Sequence, residues 1–224
     1  STLVRPLPPR RLSPSLMLPL DIGYFGDRFA ECLEIYGVQT SQLGVATPGD
    51  RPSASAIAGA LRKQQDVKLV TLTHVDTSTG VRVDLQQSVA AIRSVLPDVL
   101  IAVDGVCALA GEELRMTDWD IDIYLTGSQK ALGVPPGLSV TVVRPRAMRR
   151  FESLVAAGKT PRSYFANVSR WMPIMKAYEA QKPSYFATPA VNLICALNVA
   201  QEQLLANGGM ETRFREHRAA ATEF

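Results

Sequence analysis

Two side chains that could carry out chemistry follow apolar runs in this sequence. Lys130 ends the stretch IDIYLTGSQK (residues 121–130), in which an apolar run gives way to small polar residues. Asp104 ends an earlier apolar run, IAVD (residues 101–104). Each run is typical of a buried strand, so Lys130 is expected among hydroxyls and amides rather than in bulk solvent. An amine and a carboxylate at neighbouring strand ends could act on opposite sides of one bound cofactor.

Strands that alternate with amphipathic helices must position these two groups. Compact apolar runs predict strands at residues 67–73 and 99–103, and the spacing of apolar residues predicts a helix over 85–96 between them. Such alternation is typical of parallel strands joined by right-handed crossovers. The predicted fold class is therefore α/β, with a mostly parallel central sheet flanked by helices.

Three polar clusters fall at the carboxyl ends of predicted strands. They are Thr73–Gly80, Asp104–Val106 and Ser128–Lys130. Ligands of open parallel sheets bind at this edge, so we expect the three clusters to form one site.

The remaining elements follow from apolar spacing and from turn residues. Further strands are predicted at residues 16–18, 38–45 and 139–143, and the last of them is expected to be antiparallel. Further helices are predicted before Gly37, from Pro189 to about Gly208, and at 53–64, 145–157, 168–178 and 211–224. Residues 1–18 contain arginines and prolines but no acidic residue. They are predicted to be irregular or disordered, with an organelle transit peptide as the alternative.

Composition excludes several classes of protein. The 224 residues are 46% hydrophobic and carry a net charge of only +3, which is too weak and dispersed to indicate a nucleic-acid partner. No apolar run approaches the roughly 18 residues of a membrane span. The three cysteines lie far apart and outside metal-ligand spacings. We therefore predict an intracellular, reduced protein without a metal site, and do not distinguish peroxisome, mitochondrion and cytosol.

Pyridoxal 5′-phosphate is a cofactor that needs this combination of groups. It takes an amine for a Schiff base and a carboxylate beside its ring nitrogen, which keeps the ring protonated and electron-withdrawing. Its phosphate needs hydroxyls, amides or a helix N-terminus. Lys130, Asp104 and the polar clusters could supply all three kinds of group.

The motifs resemble those of class V aminotransferases, and most closely the alanine–glyoxylate (serine–pyruvate) aminotransferase family. The resemblance is carried, in order along the chain, by FGDR (25–28), THVDTSTG (73–80), VDGV (103–106), DID (120–122), GSQKAL (127–132), PPG (135–137) and YFATP (185–189). The family implies the large domain of fold-type I pyridoxal-phosphate enzymes. The matching stretches cover about residues 22–220, so coincidence is a poor explanation.

The resemblance also implies roles for individual residues. Lys130 matches the Schiff-base lysine that later moves a proton, and Asp104 matches the carboxylate at the pyridine nitrogen. Val106 matches a residue that packs under the ring. The remaining cofactor contacts implied are Ser78 at the ring region, Gln129 at the phosphate, and Tyr185 and Thr188 at the phosphate of a neighbouring subunit. A homodimer with shared sites is therefore expected.

Two parts of the family pattern are not found in this sequence. They are an N-terminal loop for the phosphate, with an aromatic residue that stacks on the ring, and a C-terminal small domain with an arginine for the substrate carboxylate. We therefore expect residues 19–224 to be the large, cofactor-binding domain alone. Asp76 could orient His74 or be solvated, and His74 is interpreted as a core or supporting histidine rather than a catalytic base.

The predicted function is pyridoxal-phosphate-dependent transamination. A small amino acid, alanine or serine, would give its amino group to a keto acid such as glyoxylate or pyruvate, through a Schiff base on Lys130. The alternative is a catalytically impaired module that folds or dimerises without turnover. A nucleotide-binding doubly wound domain is disfavoured because the sequence has neither GxGxxG nor a P-loop.

Overall fold

Two compact units make up the chain in a computed structural model, which describes residues 16–20, 22–159, 161, 163–206 and 208–223. The N-terminal unit is Ser1–Ile101 and the C-terminal unit is Ala102–Phe224. The single domain predicted over residues 19–224 stays a prediction.

The N-terminal unit alternates strands and helices. Its elements are β1 (Leu16–Leu20), α1 (Tyr24–Ile35), β2 (Gln39–Thr40), α2 (Ala54–Arg62), β3 (Val67–Thr73), β4 (Val75–Asp76), β5 (Val81–Arg82), α3 (Leu85–Val95) and the start of β6 (Leu100–Asp104). Strand β1 pairs in parallel with both β2 and β3, and β4 and β5 form a short antiparallel pair.

Apolar spacing explains the helices of this unit. Helix α3 buries Leu85, Val89 and Ile92, which lie on one face at three- and four-residue intervals. Helix α2 buries Ile57 and Leu61 in the same way. The two helices pack against one another and are each capped by a local side chain, α2 by Ser53 and α3 by Asp84.

The C-terminal unit holds the second set of strands. Its elements after β6 are β7 (Ile123–Gly127), β8 (Ser139–Val143), α4 (Pro145–Ala156), α5 (Val168–Glu179), α6 (Val191–Leu205) and α7 (Gly209–Glu223). Strand β7 pairs in parallel with β6 and antiparallel with β8. In the N-terminal unit β1 is parallel to both of its neighbours, and among the described strands of the C-terminal unit only the last, β8, is antiparallel to its neighbour. The predicted α/β class with a mostly parallel sheet is therefore confirmed.

Most of the predicted elements are confirmed, with differences at the ends. The strand predicted at residues 16–18 extends to Leu20, so the segment predicted to be irregular to residue 18 overlaps β1; residues 1–15 lie outside the described part. The strand predicted over 38–45 is wrong in length. Only Gln39–Thr40 pair with β1, and Leu43 makes an isolated bridge to Leu20, because the chain leaves the sheet edge after two residues.

Helices α5, α6 and α7 differ from the others in their burial. None of the three has a fully buried residue, and α6 exposes several large apolar side chains. These are Val191, Ile194, Val199 and Leu205. In the part of the chain that the structure describes, no helix combines the length and apolar character needed to cross a bilayer.

Candidate active site

Lys130 lies in a tight turn after β7. The strand ends at Gly127, and Ser128 takes the buried position that follows. The Ser128 hydroxyl donates to the carbonyl of Pro135 at 2.7 Å and accepts from the amide of Leu138 at 3.3 Å, which closes the loop that leads to β8. The Gly133 amide donates to the Lys130 carbonyl at 2.9 Å. The backbone of Lys130 is therefore fixed at the carboxyl end of β7.

The Lys130 side chain is exposed, and the expectation that it is buried among hydroxyls and amides is wrong for this chain. The reason is local: the apolar strand ends at Gly127, and Ser128, not Lys130, occupies the buried position after it. A lysine three residues beyond the strand projects from the turn. Its amine is consequently accessible to a small aldehyde from solution.

Asp104 ends β6 beside β7. Its register partner across the parallel pair is Leu125, and the Gly105 amide donates to the Leu125 carbonyl at 2.8 Å. The Asp104 carboxylate is half-buried and accepts from the Val106 amide at 2.9 Å. Since β6 and β7 run in the same direction, the Asp104 carboxylate and the Lys130 turn lie at the same edge of this sheet.

Tyr124 packs tightly on the loop that follows Asp104. A Cβ atom added to Gly105 would lie 2.0 Å from a carbon of the Tyr124 ring, so only glycine fits under the ring. Burial raises the pKa of the Tyr124 hydroxyl, and the nearby negative charges of Asp104 and Glu112 raise it further. Tyr124 therefore stays neutral, and it fixes the position of the backbone between Asp104 and Val106.

Ser78 belongs to a second cluster, in the N-terminal unit. The buried carboxylate of Asp76 accepts from the Ser78 hydroxyl at 2.6 Å, from the Ser78 amide at 2.8 Å and from the Phe25 amide at 2.9 Å. The Ser78 hydroxyl accepts in turn from the Tyr24 amide at 3.0 Å. Helix α1 begins after Gly23, which has no side chain to cap it. Asp76 and Ser78 therefore cap it from 51 and 54 residues away along the chain.

This network settles the role of Asp76. The carboxylate is fully buried, so the interpretation of Asp76 as a solvated residue is wrong. Three hydrogen bonds compensate for the loss of its hydration. Gly23 is required here as well, because a Cβ atom there would come within 2.6 Å of the Ser78 hydroxyl oxygen.

His74 is a buried histidine, which supports its interpretation as a core residue. Only 2% of it is exposed, and burial together with the positive charge of Arg82 lowers its pKa from 6.5 to about 4. A group whose pKa is lowered by folding takes up a proton more readily in the unfolded chain. Its contribution to stability is therefore complete above pH 6.5 and is lost as the pH falls towards 4.

We accordingly expect the free energy of unfolding to fall between pH 6.5 and pH 4, by up to about 3 kcal/mol from this group. Urea unfolding measured across this range would show the slope, and His74→Gln should reduce it. His217→Gln leaves the buried histidine in place and should retain the wild-type dependence. An unchanged slope in His74→Gln would contradict the assignment.

Gln129, Tyr185 and Thr188 are exposed. The Gln129 side chain folds back beside Gly127, where an added Cβ atom would meet its amide oxygen at 2.5 Å. The hydroxyls of Tyr185 and Thr188 lie 2.9 Å apart in the loop between α5 and α6. Tyr185 is 72% exposed, so this pair of hydroxyls faces away from the chain's own core.

A group of charged residues next to the start of β7 forms ion pairs that local sequence patterns do not predict. Arg146 donates to Asp122 at 2.6 Å and to Asp120 at 3.0 Å, and Arg144 donates to Asp120 at 2.6 Å. Asp122 is fully buried. These ion pairs tie the beginning of β7 to the beginning of α4. The DID motif (residues 120–122), which the sequence predicts only as part of the family pattern, therefore has a structural role.

Comparison with known proteins agrees with the family that the motifs of this chain resemble. The model of the family "Aminotransferase class-V" matches residues 46–224. Alanine--glyoxylate aminotransferase 1 of Saccharomyces cerevisiae is 39% identical over 208 residues, which are 93% of this chain and 53% of the yeast protein. L-aspartate--glyoxylate aminotransferase of Paracoccus denitrificans is 32% identical over 89% of this chain and 48% of its own length.

Solved structures give the same result for the fold. The crystal structure of alanine--glyoxylate aminotransferase from Nostoc sp. superposes with a TM-score of 0.77 at 26% identity, over 95% of this chain and 53% of that one. The chain spans about half the length of the relatives it matches. The family match covers well over half of the chain, and on this ground the chain belongs to the class-V aminotransferases.

Proposed function

We propose that this chain binds pyridoxal 5′-phosphate through Lys130 and contributes the cofactor-binding part of a transaminase. The amino donor is a small amino acid, alanine or serine, and the acceptor is a keto acid such as glyoxylate or pyruvate. The observation that carries the proposal is the placement of an exposed amine and a half-buried carboxylate at the carboxyl ends of two parallel neighbouring strands.

The names of the relatives support glyoxylate as the amino acceptor more strongly than they support any one amino donor. The yeast and Paracoccus proteins share glyoxylate in their names, whereas their amino donors are alanine and aspartate. A relative from Arabidopsis thaliana is named serine--glyoxylate aminotransferase. Glyoxylate is therefore the acceptor we would assay first, with alanine, serine and aspartate compared as donors.

The chemistry of the side chains fits the cofactor. When bound, pyridoxal 5′-phosphate supplies a reactive aldehyde carbon and a ring that draws off electrons. Lys130 offers the amine for that carbon, and the Asp104 carboxylate can keep a ring nitrogen protonated. Val106 offers an apolar surface and Gln129 a polar contact, and Ser78 is proposed as a further contact on the family resemblance alone. Gly127 lets the Gln129 side chain lie close to the end of β7, where an added Cβ atom would meet the Gln129 amide oxygen at 2.5 Å.

Lys130 has two tasks in this proposal. It would hold the cofactor through its amine, and the same amine would move a proton at the substrate Cα. Both tasks need an amine that is anchored at its backbone but free at its tip. The turn held by Ser128 and Gly133, with an exposed side chain, meets both needs.

Tyr185 and Thr188 are proposed to act in a homodimer, on the phosphate held by the neighbouring subunit. Their adjacent exposed hydroxyls and the exposed apolar residues of α6 support this assignment, since contiguous exposed apolar surface is typical of interaction sites. Sedimentation equilibrium should give a dimer. A monomer at micromolar concentration, together with unchanged cofactor affinity in Tyr185→Phe and Thr188→Val, would contradict the assignment.

The test of the function is a paired binding and turnover experiment. The full chain is titrated with pyridoxal 5′-phosphate while its absorbance spectrum is recorded, and amino transfer from alanine to glyoxylate is then assayed. A new absorbance band that Lys130→Ala loses, with measurable transfer, is the expected result. A band without transfer would favour the impaired-module alternative, and no band at saturating cofactor would refute the proposal.

A further inference from the structure

Arg213 joins the two backbone segments that carry Asp104 and Lys130. It lies on α7, and its Nε donates to the carbonyl of Ala110 at 2.6 Å. A terminal nitrogen of the same guanidinium donates to the carbonyl of Ala131 at 2.9 Å. Ala131 is the residue directly after Lys130, and Ala110 lies six residues after Asp104. One side chain from a distant helix thus touches both segments.

Each segment transmits this contact to the site residue because it is internally hydrogen-bonded. After Asp104, the Leu109 amide donates to the Gly105 carbonyl at 2.9 Å, and the Gly111 amide donates to the Ala108 carbonyl at 2.9 Å. The Lys130 turn is closed by the Gly133 amide. Fixing one carbonyl in such a turn restricts the neighbouring residues as well.

A cleft of about 550 Å³ is lined by the loop after Asp104 and by helices α6 and α7. Its walls include the apolar residues Leu109, Leu132 and Phe214. Ala110, whose carbonyl accepts from Arg213, also lines this cleft, so the Arg213 bond joins α7 to the loop at its edge.

Arginine is suited to this task and lysine is not. A guanidinium holds its donors in a planar fork, so it can reach two carbonyls at once, whereas an ammonium is a single point charge on a flexible stem. Ala110 has a left-handed backbone with φ of 70° and is buried, so the geometry of its carbonyl is costly to adopt. The Arg213 hydrogen bond compensates part of that cost.

We propose that Arg213 is a positioning residue that holds the Lys130 turn at a fixed spacing from the loop after Asp104. This inference rests on the proposed function, which gives Lys130 and Asp104 their roles. Arg213 makes its contacts with carbonyls of the chain, so its effect on cofactor binding is exerted through Lys130. Loss of Arg213 should loosen the Lys130 turn without removing the amine.

The test compares Arg213→Ala and Arg213→Lys with Arg215→Ala in the full chain. Arg215 lies on the same helix and is exposed, and among the described residues its side chain bonds only to Thr212, so its removal is the matched control. Hydrogen exchange of the chain without cofactor is measured for peptides covering 105–112 and 127–134. Affinity for pyridoxal 5′-phosphate and the pH midpoint of its absorbance band are measured beside it.

Arg213→Ala should exchange about tenfold faster than wild type in both peptides and bind the cofactor about tenfold more weakly, with a shifted pH midpoint. Arg213→Lys keeps the charge but lacks the planar fork that reaches both carbonyls, so its exchange rates and cofactor affinity should fall between those of wild type and Arg213→Ala. Arg215→Ala should match wild type. If Arg213→Ala does not fold, the lysine variant carries the same comparison.

Unchanged exchange in the 127–134 peptide of the Arg213 variants would overturn the inference, even if thermal stability fell, because Arg213 would then only anchor α7. The proposed function fails separately, if wild type and Arg215→Ala form no absorbance band with the cofactor. The exchange result decides the role of Arg213 in either case.

Discussion

Asp104→Asn should lower amino transfer about a thousandfold while leaving the fold and the attachment of the cofactor to Lys130 intact. A unit charge about 4 Å from a protonated ring nitrogen is worth about 4 kcal/mol at the effective dielectric of a protein surface. Each 1.4 kcal/mol corresponds to a factor of ten in rate, which gives about three factors of ten. Asparagine keeps an oxygen that can accept from the Val106 amide, so the loop should keep its structure.

The measurement is the rate of transfer from alanine to glyoxylate, with the cofactor absorbance band as a check on binding. Asp104→Glu retains the charge and serves as the control, with a smaller loss. If Asp104→Asn transferred amino groups at the wild-type rate, the carboxylate would have no electronic role and the pairing of Asp104 with the cofactor ring would be wrong.

Gly105→Ala should destabilise the chain by about 3 kcal/mol or more, because the new Cβ atom would lie 2.0 Å from the Tyr124 ring. The ring is buried and rigid, so relief requires movement of β7 or of the loop after Asp104. Urea unfolding at pH 7 measures the loss. Gly59→Ala is a matched control. Among the described residues, no atom outside the neighbouring backbone of α2 lies within 4 Å of the new Cβ, and alanine should stabilise the helix by about 0.5–1 kcal/mol.

A second substitution separates this clash from other effects. Gly105→Ala combined with Tyr124→Leu removes most of the ring, so the double variant should lose less than the sum of the two single losses. Additive losses would show that the Tyr124 ring is not the obstacle. The same pair would also weaken cofactor binding, because the loop between Asp104 and Val106 would shift.

Local patterns in the sequence predicted the elements and the order of the site motifs. Val67–Thr73 is confirmed residue for residue, because six of its seven residues are apolar or β-branched and polar residues precede it. Ser53 is confirmed as the cap of α2, since capping depends on residues only three positions away. The placement of Asp104 and Lys130 at strand ends follows from the same kind of local signal.

Contacts between distant residues could not be predicted in this way. Asp76 caps α1 from 51 residues away, and Arg213 reaches carbonyls 82 and 103 residues away. Nothing in the sequence near either residue indicates its partner. The exposure of Lys130 was missed for a related reason, because burial after a strand depends on which residue of the following turn points inward, and Ser128 takes that position.

The most direct test of the central claim is to identify the residue that carries the cofactor. The full chain is incubated with pyridoxal 5′-phosphate, reduced with borohydride and digested, and the modified peptide is located by mass spectrometry. We expect the label on Lys130 in the wild-type chain and no label in Lys130→Ala. Lys159→Ala, which removes another exposed lysine, is the control and should be labelled as the wild type is. A label spread over several surface lysines, or one that persists in Lys130→Ala, would contradict the assignment of Lys130 as the Schiff-base residue.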